Sequence, residues 1–137
     1  MGYKGKIIQE WDGILTGKVL ITKSKISFLG DIDQNTARIV GSDLDIRGKS
    51  ISGKILIFLE GRGSTVGSNV LFGLSKKGLA PKLLAVCKAE PVTISGAIFG
   101  NIPMISGLDE GVFDYLKTGD KARSYVQGAE AYLEKEE

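Results

Sequence analysis

Histidine is missing altogether from the 137 residues, and cysteine occurs once, as Cys87. Neither a Ser–His–Asp nor a Cys–His catalytic set can form within the chain. A zinc site of the usual ligand types has no donors. An iron–sulfur cluster takes about four thiolates, and the chain has one. A domain that carries phosphohistidine is excluded on the same ground. An internal disulfide is impossible, and a lone thiol fits a reducing compartment, so a cytoplasmic location is expected. No apolar run approaches the ~20 residues of a membrane helix. The opening stretch MGYKGKIIQEWDG lacks the continuous apolar segment of a signal peptide. Charge of one sign is also lacking: 18 basic against 16 acidic residues leave a net charge of +2. That balance does not suit a protein drawn to nucleic acid by phosphate attraction. Neither nucleic acid nor membrane is therefore expected as a partner.

What is present reads as an ordinary globular chain, 42% hydrophobic and 25% charged. Its length predicts a single domain over residues 1–137. GKIIQE, GKVLIT and ARIVG are short, β-branched and bounded by Gly, Asp or Ser, as strands are. SKISFLGDID reads as a strand and then a turn. KILIFLE, Lys54–Glu60, is apolar without alternation, as a strand buried on both faces would be. SNVLFGLSKKG reads as a short amphipathic helix capped by Ser68 and ended by Gly78. Leu83–Cys87 reads as the next buried strand, so the two strands flanking the helix are expected to be parallel, in one βαβ unit. VTISGAIFG is ambiguous, IPMISG is a further strand, and Thr118–Gly119–Asp120 is a turn into a closing strand. The tail over about 128–137, GAEAYLEKEE, reads as a surface helix. The expected fold class is α/β, β-rich with a βαβ unit.

The chemistry concentrates in EGRGSTVGSNV. Gly61, Gly63 and Gly67 follow a strand and precede a helix, an arrangement that lets backbone approach an anion at a helix N-terminus. The spacing departs from a dinucleotide fingerprint, and no Gly-Lys-Ser/Thr follows as in a P-loop. A structural turn and a substrate or catalytic site remain as readings. Arg62 is either a solvated turn residue or a guanidinium aimed at a carboxylate or phosphate. Asp31 and Asp33 in GDID are more often turn residues than a carboxylate pair. Cys87 reads as a buried strand residue, and Trp11 and Phe28 as core or interface.

Several collinear motifs now carry a resemblance. GKVLIT, ISFLGDID, RGKSISGKILIF, EGRGSTVGSNVLFGL, GLAP, SGAIFGNIPMI and LKTGD occur in the order found in the aconitase X family. Over Gly17–Val126 the chain resembles that family's small subunit, or swivel domain. The resemblance implies the swivelling β/β/α fold. GRGSTVGS is similar, more distantly, to the Gly-Ser-Ser-Arg turn of aconitase and isopropylmalate isomerase swivel domains, where a serine is the catalytic base. Val66 stands where those enzymes have arginine, Thr65 where a second serine is common, and Leu29 where the family often has tryptophan. Carried over, the resemblance implies Ser64 as catalytic base and Arg62, Gly63, Thr65, Gly67 and Ser68 as substrate-binding, with no metal ligand here. It implies a hydro-lyase that is inactive without a larger aconitase X catalytic subunit bearing an iron–sulfur cluster of 4Fe–4S type. The implied substrate is a small phosphorylated hydroxy acid. Archaeal two-subunit members dehydrate phosphomevalonate in a modified mevalonate pathway. Bacterial and fungal relatives dehydrate cis-3-hydroxy-L-proline. A regulatory anion-binding module without chemistry is the alternative.

Overall fold

The computed structural model describes residues 2–63 and 66–136. Seven strands are found among them: β1 (Tyr3–Gln9), β2 (Ile14–Ile26), β3 (Ile55–Gly61), β4 (Leu83–Lys88), β5 (Met104–Ser106), β6 (Lys121–Gln127) and β7 (Glu130–Lys135). Four helices accompany them: α1 (Phe28–Asp31), α2 (Gly67–Lys76), α3 (Pro91–Gly100) and α4 (Val112–Tyr115). The strands close into a barrel in the order β1-β5-β4-β3-β2-β6-β7, with β7 paired back onto β1. β2, β3, β4 and β5 run parallel, and the other pairings are antiparallel. This is a β-rich mixed α/β fold, as expected. It holds two successive βαβ units rather than one, β3-α2-β4 and β4-α3-β5.

The unbroken apolar run of β3 follows from this layering. Ile55 and Ile57 point into the barrel with Val19, Leu83, Ala85, Ile105, Ala122, Ala131 and Leu133. Leu56 and Phe58 point the other way, into a second core with Leu20, Leu71, Leu74, Leu84 and Ala97, beneath α2 and α3. A strand between a barrel interior and a helical layer has no wet face, so its pattern does not alternate. Phe28 belongs to the helical-side core, edge-on to Phe58 with ring centroids 5.7 Å apart. Trp11 packs against the barrel core.

Two expectations need correction, and one ambiguous segment resolves. ARIVG is not a strand: it makes only the isolated bridges Ile32–Ile39 and Arg38–Ser50, within a looped crossover from β2 to β3. VTISGAIFG resolves as α3, begun by Glu90 and Pro91 and ended at Asn101, which is left-handed at φ 52°. The tail is not a surface helix. Its Ala, Glu and Lys favour helix, but Ala131 and Leu133 alternate into the barrel and are fully buried. Gln127 pairs with Glu130 across the two-residue turn Gly128–Ala129, and Gly128 has φ 68°, as a tight hairpin requires. Burial of that alternating face overrides local propensity. Among the described residues no helix is long and apolar enough to cross a membrane.

The strand assignment of the tail can be measured. Leu133→Ala is expected to lower stability by about 2–5 kcal/mol, the usual loss for a fully buried leucine, in urea unfolding followed by circular dichroism. Glu136→Ala, on the exposed continuation, should stay within about 0.5 kcal/mol.

Candidate functional site

Parallel strands joined by helices bring their carboxyl ends to one rim, where helix N-termini also lie. Here β2 ends at Ile26, β3 at Gly61 and β4 at Lys88, with Ile26 paired to Gly61 and Glu60 to Lys88. A bulge between Thr22 and Lys25 shifts the β2–β3 register just before the rim. Such a bulge re-aims the strand end. The Arg62 N–H donates to the Ile26 carbonyl at 2.9 Å, which ties the glycine turn to the end of β2.

Glycine is demanded twice in this turn by close approach. A Cβ on Gly61 would stand 2.2 Å from Thr93 Oγ1 and 2.4 Å from Glu90 Oε1. Both atoms belong to the start of α3, which Glu90 caps: its carboxylate accepts from the Val92 N–H at 2.9 Å and the Thr93 N–H at 2.7 Å, and its Oε1 also accepts from the Thr93 hydroxyl. A Cβ on Gly63 would stand 2.8 Å from Ser27 Oγ, and Gly63 is left-handed at φ 104°. Ser27 caps α1, its Oγ accepting from the Gly30 N–H at 3.3 Å. The turn is therefore threaded between the caps of α1 and α3.

The residues singled out from the sequence do not all converge. Ser64 and Thr65 lie outside the described residues. Arg62 and Gly63 stand together at the rim, Arg62 facing Asp31 with Nη2 4.0 Å from Oδ2. Arg62 also lines a cavity of about 300 Å³ with Ser24, Lys25, Asp43 and Leu44. Lys25, 3.4 Å from Glu60, is a second cation there. Gly67 is the first residue of α2 and is buried near Val92 and Phe28. Ser68 is not the cap of α2: Val66 holds that position, and Ser68 sits in the first turn. It lines a separate cavity with Asn69, Phe72 and Phe99. Sequence reading missed Ser27 and Glu90. Glu90 was findable, since an acid before Pro marks a helix start.

Cys87 is half-buried rather than fully buried. It lines a larger cavity of about 600 Å³ with Glu60, Lys88, Asp109 and Glu110 at the ends of β3, β4 and β5. Burial, then Glu110 and Asp109, push its thiol from 9.0 up to about 11. The raised value disfavours the thiolate, the form that binds metals and attacks electrophiles. Among the described residues no group of three or more Cys, Asp or Glu is placed to hold a metal. With one thiol and no imidazole, the described residues do not fit an iron–sulfur cluster.

Comparison with known proteins decides the family. Residues 3–134 match the model of the aconitase X swivel domain. The chain belongs to the aconitase X swivel domain family. It is 47% identical over 123 residues to the phosphomevalonate dehydratase small subunit of Pyrococcus abyssi, covering 90% of this chain and 91% of that one. It is 40% identical to the protein of the same name from Methanosarcina mazei, covering 96% and 89%. Among solved structures it superposes on aconitase X of Thermococcus kodakaraensis in its holo form with a TM-score of 0.86. That match has 41% identity and covers 97% of this chain and 98% of that chain. The collinear motifs all fall within the matched residues 3–134, and the β-rich swivel fold is shared.

The Cys87 environment makes a direct expectation. A shift from 9.0 to about 11 leaves roughly a hundredfold less thiolate at pH 8 than an unperturbed thiol has. Iodoacetamide should accordingly label Cys87 far more slowly than a free cysteine peptide at pH 8. The rate should keep rising as pH approaches 11, read by mass spectrometry.

Proposed function

We propose that this chain is the small subunit of a two-subunit hydro-lyase, inactive alone, that dehydrates 5-phosphomevalonate to trans-anhydromevalonate 5-phosphate. The carrying observation is near-complete alignment, at 40–47% identity, with small subunits of that name. Those relatives are small subunits, so a larger partner follows for this chain. The rim is compatible with a half-site, since a glycine turn and a tethered cation stand at the strand ends, with no donor set for a metal among the described residues. An iron–sulfur cluster, if the enzyme uses one, is assigned to the larger subunit. The substrate is a small phosphorylated hydroxy acid. Neither nucleic acid nor membrane is a partner, and the enzyme works in the cytoplasm.

Dehydration removes a proton from carbon and a hydroxyl from the neighbouring carbon. The C–H electron pair becomes the double bond, and water leaves. Ser64 is the proposed base, lying in sequence between Gly63 and the start of α2 at Gly67. A serine hydroxyl ionises far above neutral pH, so it acts as a base only where its anion is stabilised. Backbone N–H groups at a glycine turn and a helix N-terminus supply such stabilisation. Gly63, Thr65 and Gly67 are proposed to take part in substrate binding beside Ser64. Arg62 and Ser68 contact substrate, the guanidinium taking its carboxylate or phosphate.

Reconstitution with the larger subunit tests this reading. The wild-type pair should turn over phosphomevalonate and not cis-3-hydroxy-L-proline; the reverse result would assign the chain to the hydroxyproline branch. Ser64→Ala should cut turnover at least ~10²-fold, in line with acid–base contributions, without loss of assembly. Ser68→Ala should be much milder. Near-normal turnover by Ser64→Ala would remove Ser64 from the mechanism.

A further inference from the structure

The two acids of GDID do different work. Asp33 makes ordinary turn contacts, its Oδ1 accepting from the Asn35 N–H at 2.8 Å and the Thr36 N–H at 3.3 Å. Asp31 instead joins three segments. Its backbone carbonyl accepts from the Val40 N–H at 2.8 Å and the Gly41 N–H at 3.3 Å. Its Oδ2 accepts from the Ser27 N–H at 2.8 Å and faces the Arg62 guanidinium at 4.0 Å. The residue is only 8% exposed, and its carboxylate fills the space left by Gly41, where a Cβ would stand 2.3 Å from Oδ1.

An exposed ion pair between two flexible side chains contributes little, because both must be ordered. This pair is asymmetric. Side-chain exposure is 12% for Asp31 and 54% for Arg62, so the carboxylate is a fixed point and the guanidinium is the movable part. Asp43, on the same cavity as Arg62, offers a rival acid if Asp31 is lost. Resting on the proposed function, we infer that Asp31 is a positioning residue. It holds the Arg62 guanidinium beside the Gly61–Gly63 turn, in place to receive the anionic group of the substrate.

Two variants and one double variant test this in the reconstituted complex. Asp31→Asn keeps the side-chain shape and removes the charge. Gly41→Ala keeps the charge and displaces the carboxylate. Each is expected to raise KM for phosphomevalonate about 10-fold with kcat changed less than about threefold, the pattern of a lost binding contact. Asp31→Asn combined with Arg62→Ala should be no worse than Arg62→Ala alone, because one residue acts through the other. A KM left unchanged by both single variants, or full additivity in the double variant, overturns the inference. A second readout needs no substrate. In the arginine-labelled free subunit, Asp31→Asn should move the Arg62 Nε–Hε resonance towards its random-coil position, and an unmoved resonance overturns the inference. If the wild-type pair fails on phosphomevalonate, the functional reading falls by itself, while this resonance still decides the positioning role.

Discussion

Ile55, Leu56, Ile57 and Phe58 have no side that faces water. Burying both faces of one strand requires a layer on each side. A barrel supplies one and the crossover helices supply the other. Parallel neighbours follow, because a helix returning over the sheet brings the next strand back in the same direction. Once β2, β3 and β4 are parallel, their carboxyl ends share a rim. The site is therefore a by-product of how the central strand is covered.

The rim is assembled from helix starts. α1 and α3 carry side-chain caps, Ser27 and Glu90, and the turn after β3 passes between them. Gly61 and Gly63 are small because the capping groups already fill the space. The caps that stabilise α1 and α3 thus share their atoms with the walls of the candidate site. Enlarging either glycine would disturb a cap as well as any anion bound there. The lone thiol lines the larger cavity, at the ends of β3, β4 and β5.

Much of this was legible in the sequence. The β3 run, the helix that follows it and β4 came from apolar spacing and turn residues, which depend on local chemistry. The family likeness came from collinear motifs. What escaped depends on distant partners. The strand β7 is helical by composition, and only the barrel interior that accepts Ala131 and Leu133 makes it a strand. ARIVG has strand composition but no neighbouring ladder beyond isolated bridges. The difference between Asp31 and Asp33 is also invisible locally, because it rests on Gly41 and Arg62, well separated along the chain. Placing Ser68 at the helix cap failed by two positions, since Gly67 already lies inside α2.

Closure of the barrel carries one more consequence. Each described strand has neighbours on both sides, β7 meeting β1. A sheet with unpaired edge groups can recruit another chain by lending it a ladder of backbone hydrogen bonds, a mode that reads side chains only weakly. This sheet offers no such ladder. Another protein must meet it through helix surfaces, loops and the rim, where recognition is written in side chains and can be specific to one partner.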